Sequence, residues 1–221
     1  MLLNDYLNKL KTTNLKELNK PWLNSELLNN DFLDNIYPDS KAEEWKNFNV
    51  KAFIDKKWKL LESKNSPSFK KENIFFKNLI VFNNGVLEKN LTEINKEDKI
   101  KIFSLNEYYN KDNTIVDRIY SNSKKYSEDR ISGIIDNKTT SLLSLNALLN
   151  HGVVIEVSSN SKVDNEICLY NQISANDTII NPYVLLVANK NSEVRFLDLT
   201  SYIEENSWTN VFYEFYLEKN S

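Results

Sequence analysis

The sequence predicts an α+β fold, with a helical N-terminal region, a small region of strands and a repetitive β core. Apolar residues recur at helical spacing near the N-terminus, whereas short apolar runs alternate with polar turns from Gly152 onward. Residues 145–157, LNALLNHGVVIEV, contain the change between the two patterns. There Val153, Ile155 and Val157 occupy alternate positions, which is typical of a strand with one face turned inward.

Composition favours an ordinary globular protein. At 221 residues the chain is long enough to bury a substantial core, and its hydrophobic share of 41% is typical of such proteins. The net charge of −3 provides no overall positive field, so nucleic acid and anionic membranes are not predicted as partners. Asn is very abundant, whereas Gly numbers only 3. We therefore expect Asn to supply much of the turn chemistry that Gly usually supplies.

Cysteine content and the first residues favour a cytoplasmic location. Cys168 is the only cysteine, so no internal disulfide can form, which is consistent with a reducing compartment. Asp5 and Lys9 interrupt any apolar segment of a secretory signal. The apolar runs are far shorter than the ~20 residues of a membrane-spanning helix.

Residues 1–72 are predicted to form a helical domain. Within 2–36, a first helix has an apolar face made of Leu3, Tyr6, Leu7 and Leu10. Pro21 suits the first turn of a second helix. Residues 62–72 are polar and predict a loop.

A third helix is expected in the segment that follows Pro38. Ser40 and Glu43 have the spacing of a capping box, which predicts a short helix beginning at Lys41. Trp45 and Phe48 are three residues apart and should point in the same direction.

Residues 73–150 are predicted to contain hairpin strands and then helices that lead into the core. The predicted strands are 74–76, 79–82, 86–88 and 100–105. The sequence Asn83-Asn84-Gly85 is a strong hairpin signal, because Asn-Gly tolerates positive φ. Helical spacing of apolar residues returns over 115–150.

Residues 151–221 are predicted to be the repetitive β core. The predicted strands are 152–157, 166–171, 183–188, 193–199 and 210–217. A sandwich, an up-and-down barrel and a solenoid with strands stacked in register all fit this spacing. Because a solenoid needs a cap and none is predicted after the last strand, we expect the chain to be a fragment of a longer protein.

His151 and Cys168 are the first candidates for chemistry. His151 is the only histidine and follows the last predicted helix, where a cation is favoured at the helix end. It has no nearby Cys, His or Asp at metal-ligand spacing. Cys168 lies within a predicted strand, facing either inward with Tyr170 or outward between Ile167 and Leu169, and a buried cysteine usually acts as a small apolar residue.

The acidic residues do not form a catalytic pair. Glu43, Glu44 and Lys46 surround Trp45 at the predicted helix start, which is typical of a solvated cap with an anchoring aromatic residue. Two other pairs are adjacent in sequence: Glu97 with Asp98, and Glu204 with Glu205. Adjacent carboxylates point apart on a strand and make a poor acid–base dyad. No glycine-rich phosphate loop and no HExxH, GxSxG or CxxC motif is present, so no catalytic, cofactor-binding or metal-binding residue is predicted.

Four segments carry a family resemblance. They are PDSKAEEWKNFNVKAF at 38–53, LIVFNNGVL at 79–87, LNALLNHGVVIEV with NEICLYNQI at 145–173, and NPYVLLVANKNSEVRFLDLTSY at 181–202. They resemble, in the same order, segments of the SufD family of iron–sulfur cluster assembly proteins. Phe48 and Asn49 stand where that family usually has Tyr and Thr, His151 stands at a commonly acidic position, and Ser158 replaces a Pro. The related SufB proteins share the core but usually lack this N-terminal arrangement.

The resemblance implies a right-handed parallel β-helix after the helical domain. It also implies a cytosolic complex with SufB-like and SufC-like subunits, in which SufC is the ATPase and this chain is not an enzyme. The family's SufC-binding helices and its cluster-related His and Cys positions lie late in the chain, so none is carried onto a residue here. The resemblance implies an iron–sulfur cluster pathway but assigns no iron or flavin to this chain. The alternative, a β-helical carbohydrate-active enzyme or binding module, would be expected to show clustered acids and a secretion signal.

Overall fold

The computed structural model describes residues 1–11, 20–21, 41, 43–61, 75–115, 145–146, 148–149, 151–203 and 206–221. It is a mixed α/β chain in which strands predominate and most strand pairs are parallel. The chain divides into two compact units, each made of two stretches. The first comprises Met1–Leu60 and Tyr108–Leu149, and the second comprises Leu61–Glu107 and Asn150–Ser221. The three-part division expected from the sequence stays a prediction.

The helices of the described residues are short: α1 (Leu3–Leu10), a 3-10 helix (Glu43–Trp45), α2 (Val50–Asp55) and α3 (Leu105–Lys111). The strands are β1 (Lys59–Leu60), β2 (Asn78–Asn83), β3 (Val86–Leu87), β4 (Ile100–Ser104), β5 (Val153–Val157), β6 (Ile167–Ile173), β7 (Thr178–Ile180), β8 (Tyr183–Ala188), β9 (Phe196–Tyr202), β10 (Trp208–Thr209) and β11 (Phe212–Leu217).

In the first unit, α1 confirms the predicted apolar face. Leu3, Leu7 and Leu10 are buried on one side of the helix. A backbone hydrogen bond joins the start of this helix to the segment at Trp58, since the Leu3 N–H donates to the Trp58 carbonyl at 2.8 Å. The second predicted helix, from Pro21, falls almost wholly outside the described residues.

The predicted helix from Lys41 is replaced by two shorter elements. A 3-10 turn covers Glu43–Trp45, and α2 begins only after Asn49. The Asn49 side chain accepts a hydrogen bond from the Ala52 N–H at 3.0 Å, which makes it the N-cap. The helix of this segment therefore begins behind Asn49, which was not predicted as a cap, and Ser40 lies outside the described residues.

Aromatic rings of the first unit contact one another in sequence order. Trp45 and Phe48 meet edge to face with ring centroids 5.6 Å apart, as their spacing predicted. Phe48 contacts Phe53 at 5.5 Å, and Phe53 contacts Trp58 at 5.3 Å. The Trp58 indole N–H donates to the Phe53 carbonyl at 3.1 Å, so the row ends in a buried, hydrogen-bonded ring.

In the second unit, the hairpin between β2 and β3 has the turn that its sequence predicts. Asn84 and Gly85 have φ of 50° and 78°, so both central residues are left-handed, as in a type I′ turn. A Cβ at Gly85 would lie 2.8 Å from the Ile180 side chain, so space as well as φ requires glycine.

From β5 onward the chain visits three sheets in a repeated order. Strands β5, β8 and β11 are parallel neighbours in one sheet, and β4 pairs antiparallel with β5 at its edge. Strands β2, β6 and β9 are parallel neighbours in a second sheet, with β3 antiparallel at its edge. Strands β7 and β10 pair in parallel. An up-and-down barrel pairs consecutive strands antiparallel, so this pairing does not correspond to one.

The registers repeat at almost constant spacing. Val153 lies beside Val184 in the first sheet, and Tyr183 lies beside Phe212. In the other two sheets, the pairs Ile167–Phe196 and Ile179–Trp208 are likewise separated by about thirty positions in the sequence. Each passage through the three sheets therefore uses about thirty residues, a period typical of stacked repeats, and we call one such passage a round.

Alternate residues of the strands form one buried cluster in the interior of the rounds. It contains Ile80, Phe82, Ile100, Val153, Ile155, Val157, Val163, Ile167, Leu169, Val184 and Leu186. The period-two pattern of β5 therefore predicted the inward face correctly.

Several elements differ from the expectation. Strands β7 and β10 lie where turns were predicted, because strands of two or three residues show no measurable periodicity. Strand β9 begins at Phe196, later than the predicted start at residue 193. Phe75 and Phe76 are not in a strand, and Ile74 is outside the described part. Of the region 115–150, only Ile115 and four residues between 145 and 149 are described, and all of these are helical.

Helix α3 was not predicted, although its start carries a capping box. The Ser104 N–H donates to the Glu107 carboxylate at 2.6 Å, and the Glu107 N–H donates to the Ser104 hydroxyl at 3.2 Å. These bonds lower the pKa of Glu107, with Lys89 contributing less. Ser104 was predicted to lie in a strand, so its second role, capping the N-terminus of α3, was not predicted.

Replacing Glu107 with Gln is expected to lower the free energy of unfolding at pH 7 by about 0.5 kcal/mol, the usual value of an exposed charge at a helix N-terminus. A carboxyl whose folded pKa is lowered stabilises the fold fully above its unfolded pKa of about 4.3. That stabilisation is lost as the pH falls through the folded pKa. Urea unfolding should therefore separate Glu107→Gln from the parent more at pH 7 than at pH 3, and should separate Glu97→Gln from it at neither. An equal difference at both pH values would contradict the role of the charge.

Candidate functional site

Cys168 lies on β6 and is buried on a covered outer face of its sheet. It shares that face with Tyr170 and packs in a small cluster with Leu79 and Val81. Burial, followed by the negative charges of nearby acidic residues, raises the pKa of the Cys168 thiol to about 11. The thiol is therefore protonated and covered at neutral pH, which is the opposite of a reactive cysteine.

Cys168 is accordingly expected to resist alkylation by iodoacetamide at pH 8 in the folded chain and to react fully in urea. An added exposed thiol, Ser159→Cys, serves as the matched control and should react in the folded chain. Mass spectrometry of the peptides measures both sites at once. Rapid labelling of Cys168 without denaturant would show that its cover opens, contrary to this description.

His151 is exposed and stands just before the buried Gly152. A Cβ at Gly152 would lie 2.8 Å from the Leu105 side chain and 3.1 Å from Tyr183, so close packing explains the glycine. In the described ranges, no group of three or more His, Cys, Asp or Glu side chains could hold a metal ion. His151 thus has no ligand cluster around it in that part of the chain.

The acidic candidates occupy structural positions or fall outside the description. The exposed Glu43 carboxylate contacts the ammonium group of Lys46, three residues later. The Glu44 side chain and the pair Glu204 and Glu205 lie outside what the structure describes.

The Asp98 carboxylate accepts hydrogen bonds that stabilise the fold, and these bonds do not form a catalytic arrangement. Its Oδ2 accepts hydrogen bonds from the side-chain amides of Asn78 at 2.7 Å, Asn165 at 3.3 Å and Asn95 at 3.4 Å. Asn78 is fully buried and also donates to the Asn165 carbonyl at 3.0 Å. A carboxylate that accepts three amide bonds fixes the loops around β2 and β6.

The structure brings together aromatic residues of β9 and β11 that were not predicted to form a site. On β9 and β11, the last strands of their sheets, Phe196 contacts Tyr213 and Phe215 with both centroid distances at 6.0 Å. Phe215 is 52% exposed, although Leu186, its register partner one round earlier, is buried. Burial and the charge of Asp198, which is hydrogen-bonded to Tyr213, raise the pKa of that tyrosine. We call this surface, with the outer edges of β9 and β11, the open end.

Stacked asparagines join successive rounds. Asn160, Asn191 and Asn220 all have positive φ, between 54° and 61°. The Asn191 side chain donates to Asn160 at 2.8 Å, and Asn220 donates to Asn191 at 3.0 Å. Asn210 donates to Asn181 at 3.0 Å in a second, buried pair. An Asn-Ser dipeptide recurs at 160, 191 and 220, and that repeat was the sequence signal for the ladder.

The comparisons with known proteins identify no relative. No protein-family model matches the sequence, and no curated protein matches it. Within the described ranges, none of the helices combines the length and the apolar character needed to cross a membrane. Chemically, the residues that the structure brings together on β9 and β11 offer two strand edges and partly exposed aromatic rings.

Proposed function

We propose that this chain is a SufD-like subunit of a scaffold complex with SufB-like and SufC-like partners that assembles iron–sulfur clusters in the cytoplasm. The observation that supports it most directly is order: the four segments that resemble the SufD family follow one another along residues 38–202 as they do in that family. The last three of these segments include all but the first residue of β2 and the whole of β3, β5, β6, β8 and β9.

The finer architecture belongs to the same proposal. We take the rounds from β5 to β11 to be the first part of a right-handed parallel β-helix. This is supported by the parallel registers and by the regular return of the chain to each sheet, one round after another. In a solenoid each round contacts mainly the rounds before and after it, as these registers require.

The proposed role is structural, with ATP hydrolysis assigned to the SufC-like partner. The environments of the Cys168 and Asp98 side chains support this assignment. Cys168 is buried with a raised pKa, which makes a nucleophilic or sulfur-carrying role unfavourable. Asp98 is occupied by three amide donors, so it is not poised as a general base.

Co-purification tests the proposed function. The whole reading frame that encodes this chain, tagged and expressed with SufB-like and SufC-like proteins of the same organism, is expected to retain both partners. The 221-residue chain should not retain the SufC-like ATPase, because the resemblance places the SufC-binding helices late in the family's chains. If the product of the whole frame retained neither partner, the proposed function would be wrong. Tight retention of the ATPase by the shorter chain would overturn the placement of that interface.

A further inference from the structure

We propose that Asn84 is a site of spontaneous deamidation that the fold keeps closed. In the folded chain, the contacts of the turn between β2 and β3 prevent the reaction. It proceeds only in molecules in which this hairpin has opened, that is, in which the turn has separated from residues 171–175. The modification needs water and no other co-reactant. The hydrogen bonds and the burial of the turn carry this proposal, which is independent of the proposed function.

The sequence contains the chemical signal for this reaction once. Asn84-Gly85 is the only Asn-Gly dipeptide in the chain. Glycine has no side chain to hinder the approach of its backbone nitrogen to the preceding side chain, and its backbone is free to adopt the conformation that ring closure needs. In an unfolded chain, Asn84 is therefore the asparagine most prone to deamidate.

The reaction joins a backbone nitrogen to a side-chain carbon. The Gly85 nitrogen attacks the Asn84 Cγ, the Cγ–Nδ2 bond breaks, and the Gly85 amide proton leaves with the side-chain amide group as ammonia. Water then opens the cyclic imide at either carbonyl. Cleavage of the new N–Cγ bond gives aspartate, and cleavage of the original peptide bond gives isoaspartate, in which the main chain passes through Cγ. The net change is the replacement of an amide by a carboxylate, with no oxidation or reduction.

The nucleophile of this reaction is held in the folded chain. The Gly85 N–H donates to the Asn171 Oδ1 at 3.2 Å, and Asn171 is only 2% exposed. The nitrogen of the cyclic imide carries no hydrogen, so ring closure would remove this bond from a buried acceptor. Loss of a hydrogen bond to a buried polar atom is unfavourable, because water cannot replace the missing donor. The closed turn therefore opposes attack by the Gly85 nitrogen.

The amide that would be attacked is held as well. The Asn84 Nδ2 donates to the Asn83 Oδ1 at 3.0 Å and to the Ser174 hydroxyl at 3.2 Å. Both bonds would be lost when Nδ2 leaves as ammonia. Asn84 is 1% exposed, so water also has little access to an imide formed there.

One feature of the turn favours the reaction, and its weight decides the sign of the proposal. The Asn84 Oδ1 accepts from two backbone N–H groups, those of Ser174 at 2.8 Å and Ala175 at 2.9 Å. Donors at a carbonyl oxygen stabilise the negative charge that develops there during attack on the carbon. That stabilisation has an effect only once the nucleophile reaches Cγ, and the Gly85 nitrogen is engaged elsewhere. We therefore expect the fold to suppress deamidation.

The protection comes from a distant part of the chain. Apart from Asn83, the side-chain hydrogen-bond partners of the turn lie 86–91 residues later, in β6 or directly after it. The β2–β3 hairpin alone therefore does not protect Asn84. Aspartate lacks the amide donor, and isoaspartate adds an atom to the main chain of the turn, so neither product restores the original bonds. Deamidation would thus permanently mark molecules in which the hairpin had separated from β6.

The test compares the rate of deamidation in the folded and unfolded chain. The 221-residue chain is incubated at pH 8 in buffer and in guanidinium chloride, and the tryptic peptide 78–89 is followed by mass spectrometry. We expect Asn84 to deamidate at least about tenfold more slowly in the folded chain, because the reaction there requires local opening. In denaturant, Asn84 should react faster than Asn83 of the same peptide. A smaller protection, faster reaction in the folded chain, or equal reaction of the two asparagines in denaturant would overturn the proposal.

Two variants test whether the contacts of the turn provide the protection. Asn171→Ala removes the acceptor of the Gly85 N–H and should raise the rate in the folded chain by at least about fivefold. Asn210→Ala removes another buried asparagine, which donates to Asn181 at 3.0 Å, and is the matched control with a smaller expected effect. Circular dichroism verifies that each variant is folded, and in denaturant both should react at the parent rate. If folded Asn171→Ala reacted no faster than Asn210→Ala, the proposal would be overturned. If Asn171→Ala did not fold, the comparison of the folded and unfolded parent chain would still decide.

Discussion

Replacing Asn84 with Ala is expected to lower the free energy of unfolding by about 3 kcal/mol, because each buried donor left without a partner costs about 1–3 kcal/mol. Asn84 is 1% exposed, and its Oδ1 accepts hydrogen bonds from the Ser174 N–H at 2.8 Å and the Ala175 N–H at 2.9 Å. Its φ of 50° adds to the effect, since Ala tolerates the left-handed region less well than Asn.

Urea unfolding of the Asn84 variants measures this loss. Asn84→Asp keeps the Oδ1 acceptor of both backbone bonds and should lose less than Asn84→Ala, although the amide donor to Asn83 and Ser174 is gone. Asn90→Ala, an exposed position after β3, is the control and should unfold within about 0.5 kcal/mol of the parent. If Asn84→Ala matched Asn90→Ala, the side-chain link between the hairpin and the chain after β6 would be unimportant for stability.

Replacing Phe82 with Ala is expected to lower the free energy of unfolding by about 3–5 kcal/mol, the usual loss for truncating a buried aromatic side chain. Phe82 lies on the inward face of β2, is 1% exposed and belongs to the main buried cluster. The loss combines reduced burial with the cavity that the surrounding strands cannot close.

Phe75 supplies a control of the same residue type a few positions earlier. It is 88% exposed, so Phe75→Ala should change the stability by less than about 0.5 kcal/mol. Chemical denaturation of both variants gives the comparison directly. Equal losses for the two variants would mean that the interior of the rounds is not the stabilising core.

Local sequence signals predicted the elements that depend on local chemistry. The Asn84-Gly85 turn followed from its tolerance of positive φ, and the bounds of β8 were predicted residue for residue. The apolar face of α1 followed from spacing alone. The helix that begins after Ser104 was not predicted, because its capping residue was assigned to a strand. Strand β7 was not predicted, because it is too short to show a period in its apolar residues.

The sequence left Cys168 either inward with Tyr170 or outward between Ile167 and Leu169, and alternation did not predict that the face it shares with Tyr170 is a covered outer face. Both faces of that sheet carry buried residues, since Ile167 and Leu169 belong to the main cluster on the other side. Whether a strand has one covered face or two depends on segments distant in sequence, so no local pattern contains that information.

The sequence by itself determined the turns, the alternation within strands and the family resemblance, because each depends on residues that are neighbours in the chain. Only the tertiary structure decided that the strands pair in parallel, that three sheets recur in every round and that Asn160, Asn191 and Asn220 form one ladder. Those pairings join residues a whole round apart in the chain, and stacking of the rounds fixes them. The same stacking leaves Phe196, Tyr213 and Phe215 together at the open end.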